Sequence, residues 1–177
     1  MVTTKPVDTQ EPKITREEIL FLQDDNFNSK NVCVVTGAGT GIGRATAVAT
    51  AANNLMTVGL DINAEEGEKT CKMVKEIGGE MAFLKTDLTK DDDLENAIQE
   101  AAGLGTIKYL ANIAGVQHID SVDNFPMEKY DLMQRLMLRA PFYLSKLAIP
   151  YMKKSKDGIG VIGNMASVHA HICTCLL

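Results

Sequence analysis

The sequence predicts an α/β fold built on a doubly wound parallel sheet with strand order 3-2-1-4-5, and three observations carry that prediction. From Asn31 onward short apolar runs alternate with longer helix-like stretches, as when parallel strands are joined by right-handed helical crossovers. A glycine-rich turn, Thr36-Gly37-Ala38-Gly39-Thr40-Gly41-Ile42-Gly43-Arg44, separates the first apolar run from the first helix-like stretch. The second apolar run, Leu55 to Leu60, ends in the acid Asp61.

Taken in order, residues 1 to about 13 are polar, contain Pro6 and Pro12, and read as a loose lead. Thr15-Arg16-Glu17-Glu18 has the form of a capping box, with Ile14 and Ile19 spaced for a hydrophobic staple. This predicts a short helix over about Arg16 to Gln23, with Ile19, Leu20 and Phe21 covering a sheet edge or a partner. Residues 1–30 thus form an N-terminal extension and 31–177 one domain. Strands are predicted at about 32–36, 55–60, 81–85, 107–113 and 159–165, and helices at about 42–53, 64–77, 91–102 and 127–153. Thr89 is placed to cap the third long helix, and Asp91-Asp92-Asp93 then fall in its first turn, where the helix dipole favours acids.

Composition narrows the function classes. A chain of 177 residues, 45% hydrophobic but only 5% aromatic, suits one domain with an aliphatic interior. A formal charge of -5 gives no footprint for nucleic acid or an anionic membrane surface. The uncharged stretch Ala45 to Leu60 is broken by Asn53-Asn54 and divides into a helix and a strand, not a membrane span. The first 30 residues carry six acids and no apolar signal core, so a cytoplasmic location is expected. Cys33 and Cys71 fall in a predicted strand and helix, where small buried apolar roles are expected. His169, His171, Cys173 and Cys175 would share one side of an extended strand. They would then spread over ~20 Å, whereas zinc ligands converge to about 2.0–2.3 Å. No metal site is expected, and the run reads as an exposed tail.

The turn itself carries chemistry. Residues without Cβ let the backbone bend sharply and approach a phosphate, while the free N–H groups and positive end of the new helix face the negative charge. An acid at the end of the next strand is where a dinucleotide-binding fold accepts hydrogen bonds from the adenosine ribose.

The spacing T-G-x-x-x-G-x-G, carried by Thr36, Gly37, Gly41 and Gly43, resembles the short-chain dehydrogenase/reductase family. The resemblance continues through Asp87-Leu88, Asn112-Ile113-Ala114-Gly115 and Asn164-Met165-Ala166-Ser167, and covers about Asn31 to Ser167. It implies a Rossmann-type sheet and a nicotinamide dinucleotide cofactor. The loop residues Thr36, Gly37, Gly39, Thr40, Gly41, Ile42 and Gly43 would hold the pyrophosphate, and Asp61 with Ile62 the adenosine ribose. Asp87 and Leu88 would meet the adenine, and Asn112, Ala114 and Gly115 would lie beside the nicotinamide-side ribose; a strand-bridging role suits Asn112 equally. The negative charge of Asp61, and Thr40 where NADP-preferring relatives carry a base, favour NAD.

The catalytic half departs from the family pattern. Ser167 matches the serine that holds the substrate oxygen, but the tyrosine and lysine of the proton-transfer pair would fall at about 180 and 184, past Leu177. The resemblance therefore implies an NAD-dependent oxidoreductase for a small alcohol or ketone, homo-oligomeric when complete, of which this sequence is an incomplete and inactive copy. Ala166-Ser167-Val168-His169 is similar to 3-hydroxybutyrate dehydrogenase-like members. The family's helix-four asparagine aligns with Met137; Pro141, lacking an N–H, leaves the Met137 carbonyl able to hold the relay water, or merely kinks a long helix. The alternative is a non-catalytic NAD-binding or interaction protein that pairs with a full-length relative through exposed Val161, Ile162, Leu144 and Leu147.

Overall fold

The computed structural model describes residues 14–167. Five parallel strands, β1 (Asn31–Thr36), β2 (Met56–Asp61), β3 (Glu80–Lys85), β4 (Thr106–Asn112) and β5 (Val161–Asn164), form one sheet in the order β3-β2-β1-β4-β5. Between them run α1 (Gly41–Ala52), α2 (Ala64–Glu76), α3 (Asp91–Leu104), α4 (Met127–Gln134) and α5 (Ala140–Met152). The strand order reverses direction at β1, so the loops after β1 and β4 diverge to opposite faces. Chains of this topology leave a crevice at that point, beyond the carboxyl ends of the strands.

The sheet is covered on both faces because its central strands are apolar on both. Along β1, Val32 and Val34 join one core with Leu94 and Ile98 of α3 and Leu144 and Ala148 of α5. Cys33 and Val35 join another with Ala47 of α1. Successive side chains of a strand point to opposite faces, so an uninterrupted apolar run needs helices on each side. Burial pushes the Cys33 thiol up to about 12, in keeping with an apolar role.

Several boundaries differ from expectation. The capping box forms, with the Thr15 N–H donating to the Glu18 carboxylate at 3.0 Å, but the helix stops after one 3₁₀ turn, Arg16–Glu18. Ile19 leaves it in extended geometry and packs on Val48, Ala51, Ala52 and Val74 of α1 and α2, not on a sheet edge; Leu20 and Phe21 are exposed. Asn53 holds this segment down, accepting from the Leu22 N–H at 2.8 Å and donating to the Leu20 carbonyl at 3.0 Å. Tertiary docking overrides the helix signal here.

Lys90, not Thr89, occupies the cap position of α3. The Thr89 hydroxyl and N–H both donate to Asp87 instead, at 2.7 and 3.0 Å, in a local turn. The long fourth helix is interrupted by a π-helical turn, Arg135–Arg139, where the Ala140 N–H reaches back to the Arg135 carbonyl. An i→i+5 bond for Leu136 and an i→i+4 bond for Met137 would both need the nitrogen of Pro141, which carries no hydrogen. Leu144 is fully buried and Leu147 and Ile162 half-buried, because α5 lies against α3 and β4; exposed apolar residues nearby include Met137, Leu138, Phe142, Ile149 and, on β5, Val161.

Candidate functional site

The β1–α1 loop is fixed from below before it meets any ligand. The Thr36 side-chain oxygen accepts from the Ile113 and Ala114 N–H groups at 2.8 and 3.0 Å, which ties the end of β1 to the loop after β4. The Gly37 and Ala38 N–H groups donate to the Leu60 carbonyl at 2.8 and 3.2 Å, which ties it to β2. Gly43 lies so close beneath the turn that a Cβ there would stand 2.0 Å from the Gly37 oxygen. Gly41 has φ +54° and open space where its Cβ would point, so the backbone itself forms the wall of the cleft. The first N–H groups of α1, which have no intrahelical acceptor, begin at this wall.

Asp61 stands at the end of β2. Its Oδ2 accepts from the Gly39 N–H and its Oδ1 from the Asn63 N–H, each at 2.9 Å. A carboxylate offers about four acceptor positions, so roughly two remain for a ligand. Asp87, after β3, is held below the usual carboxylate range, first by the Thr89 hydroxyl and also by the Lys90 ammonium. It is therefore anionic at neutral pH, yet one of its oxygens is already committed to Thr89.

A cleft of about 650 Å³ runs across these strand ends. Its walls bring together Gly37, Thr40, Gly41, Ile42, Gly43, Asp61, Ile62, Asp87, Leu88, Ala114 and Gly115, all singled out from the sequence. Thr86, Thr89, Ile113, Val116, Leu132 and Leu136 complete it, the last two from α4 and the π turn, which no sequence motif marked. Thr36 and Gly39 lie behind the wall as supports. A second cleft of about 540 Å³ shares Ile113, Ala114 and Gly115 with the first and is lined also by Asn112, Met137, Pro141, Phe142 and Ser167. Ser167 is thus in a different compartment from Asp61, joined to it through the β4 loop. Asn112 donates to the Asn164 side-chain oxygen at 2.9 Å, bridging β4 to β5, while its own oxygen is buried without a partner.

Sequence reasoning also missed a contributor behind the wall. Arg44 is buried in the first turn of α1 and donates to the Gly39 carbonyl, the Glu66 carboxylate and, at 3.0 Å, the Thr70 hydroxyl. The signal was present, since Arg44 is the single charge in α1. A lone cation among small residues needs buried partners. Among the described residues no group of three His, Cys, Asp or Glu side chains could hold a metal, and His169, His171, Cys173 and Cys175 lie outside the described residues. No described helix is long and apolar enough to cross a membrane.

A parallel sheet in this strand order, with a glycine-walled cleft at its switch point and a fixed acid opposite, defines a Rossmann-type α/β domain. Comparison with known proteins is more specific. The family model "short chain dehydrogenase" matches residues 31–174, and the chain belongs to that family of oxidoreductases. An uncharacterized oxidoreductase of Thermotoga maritima is 36% identical over 143 residues, which are 80% of this chain and 55% of the relative. The chain spans about half the length of the curated relatives it matches. Among solved structures, a 7α-hydroxysteroid dehydrogenase complexed with NADH and 7-oxo glycochenodeoxycholic acid aligns with a TM-score of 0.77 at 29% identity, covering 84% of this chain and 57% of that one. A metagenomic short-chain oxidoreductase in complex with NADP aligns with a TM-score of 0.74 at 27% identity, covering 79% and 63%. Nicotinamide cofactors of both kinds thus occur among the neighbours.

Proposed function

We propose that these residues form the cofactor half of an NAD-dependent dehydrogenase that acts on a small alcohol or ketone. The observation that carries this reading is the pairing of an anion-binding wall, Thr40 to Gly43 at the start of α1, with the anchored carboxylate of Asp61 on the same cleft. The open space beside Gly41 and the unused acceptor positions of Asp61 fit a pyrophosphate and a ribose diol respectively. When bound, the nicotinamide ring supplies the hydride donor or acceptor.

The chain's own residues bind and orient. The α1 N–H groups hold the pyrophosphate, with Thr36 and Gly39 supporting the loop, and Asp61 with Ile62 takes the adenosine ribose. Asp87 and Leu88 flank the adenine, and Ala114 and Gly115 line the passage toward the second cleft, with Asn112 bracing it from behind. Ser167, on the wall of that cleft, is the hydroxyl placed to hold a substrate oxygen. The family's proton-transferring tyrosine and lysine are not at hand within these residues. Tyr143 does not replace them, since its hydroxyl donates to Glu95, whose carboxylate pushes the phenol up, opposite to what a proton shuttle near neutral pH needs. The 177 residues are accordingly inferred to bind nucleotide without turning over substrate; turnover, homo-oligomer formation and a cytoplasmic setting are assigned to the whole protein.

A second reading, a non-catalytic nucleotide-binding or interaction protein, draws on β5, where Val161 is 54% exposed on the outermost strand. Titration with NADH by fluorescence, beside an assay for NADH formation from NAD and small secondary alcohols, tests the proposal. Saturable binding without turnover by the 177 residues, and turnover once a relative's C-terminal part is joined, is the expected result. A folded chain that does not bind NADH refutes it; binding with no turnover after the extension favours the second reading.

A further inference from the structure

We infer that Arg44 is a cofactor-positioning residue: from beneath the glycine-rich loop it sets which way the loop's peptide groups face. The inference rests on the nucleotide reading of the cleft. Two consecutive carbonyls of the loop are turned inward and held. Thr70, fully buried on α2, donates its hydroxyl to the Ala38 oxygen at 2.8 Å, and Arg44 donates to the Gly39 oxygen. Arg44 Nε donates in turn to the Thr70 oxygen, and its outer nitrogen to Glu66, so the pair is braced from α2.

The consequence follows from peptide planarity. Among the described residues no peptide bond is cis, so in each peptide unit of the loop the C=O and the following N–H point in opposite directions. With the Ala38 oxygen pinned inward, the Gly39 N–H is turned outward, where it meets Asp61 at 2.9 Å. With the Gly39 oxygen pinned inward, the Thr40 N–H is turned outward too, on the side where Thr40 lines the cleft. Thus one guanidinium and one hydroxyl, neither in contact with the cleft, aim a donor at the phosphate position and fix the carboxylate that takes the ribose. The guanidinium suits this task because its planar fork presents several donors in fixed directions, which a lysine ammonium on a flexible stem does not.

The test separates phosphate recognition from general stability by using two probes, ADP and adenosine, which share the ribose and base but not the pyrophosphate. Dissociation constants are measured by ligand-observed NMR for the wild type, Arg44→Lys, Thr70→Val and the double variant Arg44→Met with Glu66→Gln, which leaves no uncompensated carboxylate. The wild type is expected to prefer ADP. In the double variant that preference should shrink about tenfold or more, with adenosine affinity changed less than about twofold and the melt still cooperative. Arg44→Lys should restore part of the preference. Should the double variant fail to fold, Thr70→Val, which removes the oxygen that accepts from Arg44 Nε with little change of shape, should shift the preference in the same direction by a smaller factor, with some loss of adenosine affinity through the Gly39–Asp61 contact. An unchanged preference in a folded variant, or equal weakening of both ligands, overturns the role of Arg44. A wild type that binds neither ADP nor NADH overturns the nucleotide reading itself, and this inference with it.

Discussion

On the proposed NAD reading, replacing Asp61 with alanine should erase a preference for NAD over NADP, whose expected size follows from the geometry around the carboxylate. The carboxylate is held by two backbone N–H groups at 2.9 Å, one from the β1–α1 loop and one from the turn after β2, so little ordering remains when a ribose arrives. A hydrogen bond to a charged acceptor is worth about 1.5–3 kcal/mol. A 2′-phosphate would meet the same fixed charge: at ~4 Å, a unit pair repels by about 1 kcal/mol in water and about 4 kcal/mol near a protein surface. Asp61 is only partly buried, which puts the repulsion toward the lower figure. Together these come to about 2.5–4 kcal/mol, a discrimination on the order of a hundred- to a thousandfold. The assay is fluorescence titration with NADH and NADPH on the wild type and Asp61→Ala. Because Asp61 also anchors the loop through Gly39, the variant should lose affinity for both, and the ratio is the meaningful quantity. In the variant the ratio should fall to within about threefold of one. Equal affinities in the wild type, or an unchanged ratio in the variant, would refute the assignment.

Two further outcomes follow from the geometry. Gly43→Ala would place a methyl 2.0 Å from the Gly37 oxygen, where only backbone movement can relieve it; the expected cost is ~1–3 kcal/mol, a Tm drop of roughly 2–12 °C, with NADH affinity lost alongside, and an unaffected melt would show that the loop is not packed as described. Lys108, buried in β4, pairs with Asp157 in the loop before β5, and with the Ser155 hydroxyl and the Ile159 N–H holds that carboxyl far below the usual range. A depressed folded-state pKa stabilises the fold above the unfolded value and is lost as pH falls through the folded one. The stability difference between wild type and Asp157→Asn should therefore be constant above about pH 5 and shrink below about pH 4; a difference that grows on acidification would contradict the pairing.

The sequence by itself determined the order of strands and helices, the turn at Thr36 to Arg44 and the acid that faces it. These depend on local pattern: apolar runs mark strands buried on both faces, and glycine at a strand-to-helix turn is required wherever backbone must approach backbone or ligand. The cleft wall contributed by Gly37, Thr40 to Gly43, Asp61, Asp87, Ala114 and Gly115 was legible for that reason. What only the tertiary structure decided depends on contacts between segments distant in sequence. The N-terminal helix stops after one turn because Ile19 finds a better place on α1 and α2 and Asn53 takes its backbone groups. Leu144 is buried because α5 packs on α3, and Leu132 and Leu136 reach the cleft because a π turn rotates that part of the helix run. Arg44 is the clearest case: its sequence position gives a lone charge on an Ala-rich helix, but its partners Gly39, Glu66 and Thr70 come from a loop and a second helix. Only the folded chain brings them within hydrogen-bonding distance, and only a buried, water-poor site makes those bonds strong enough to aim the loop.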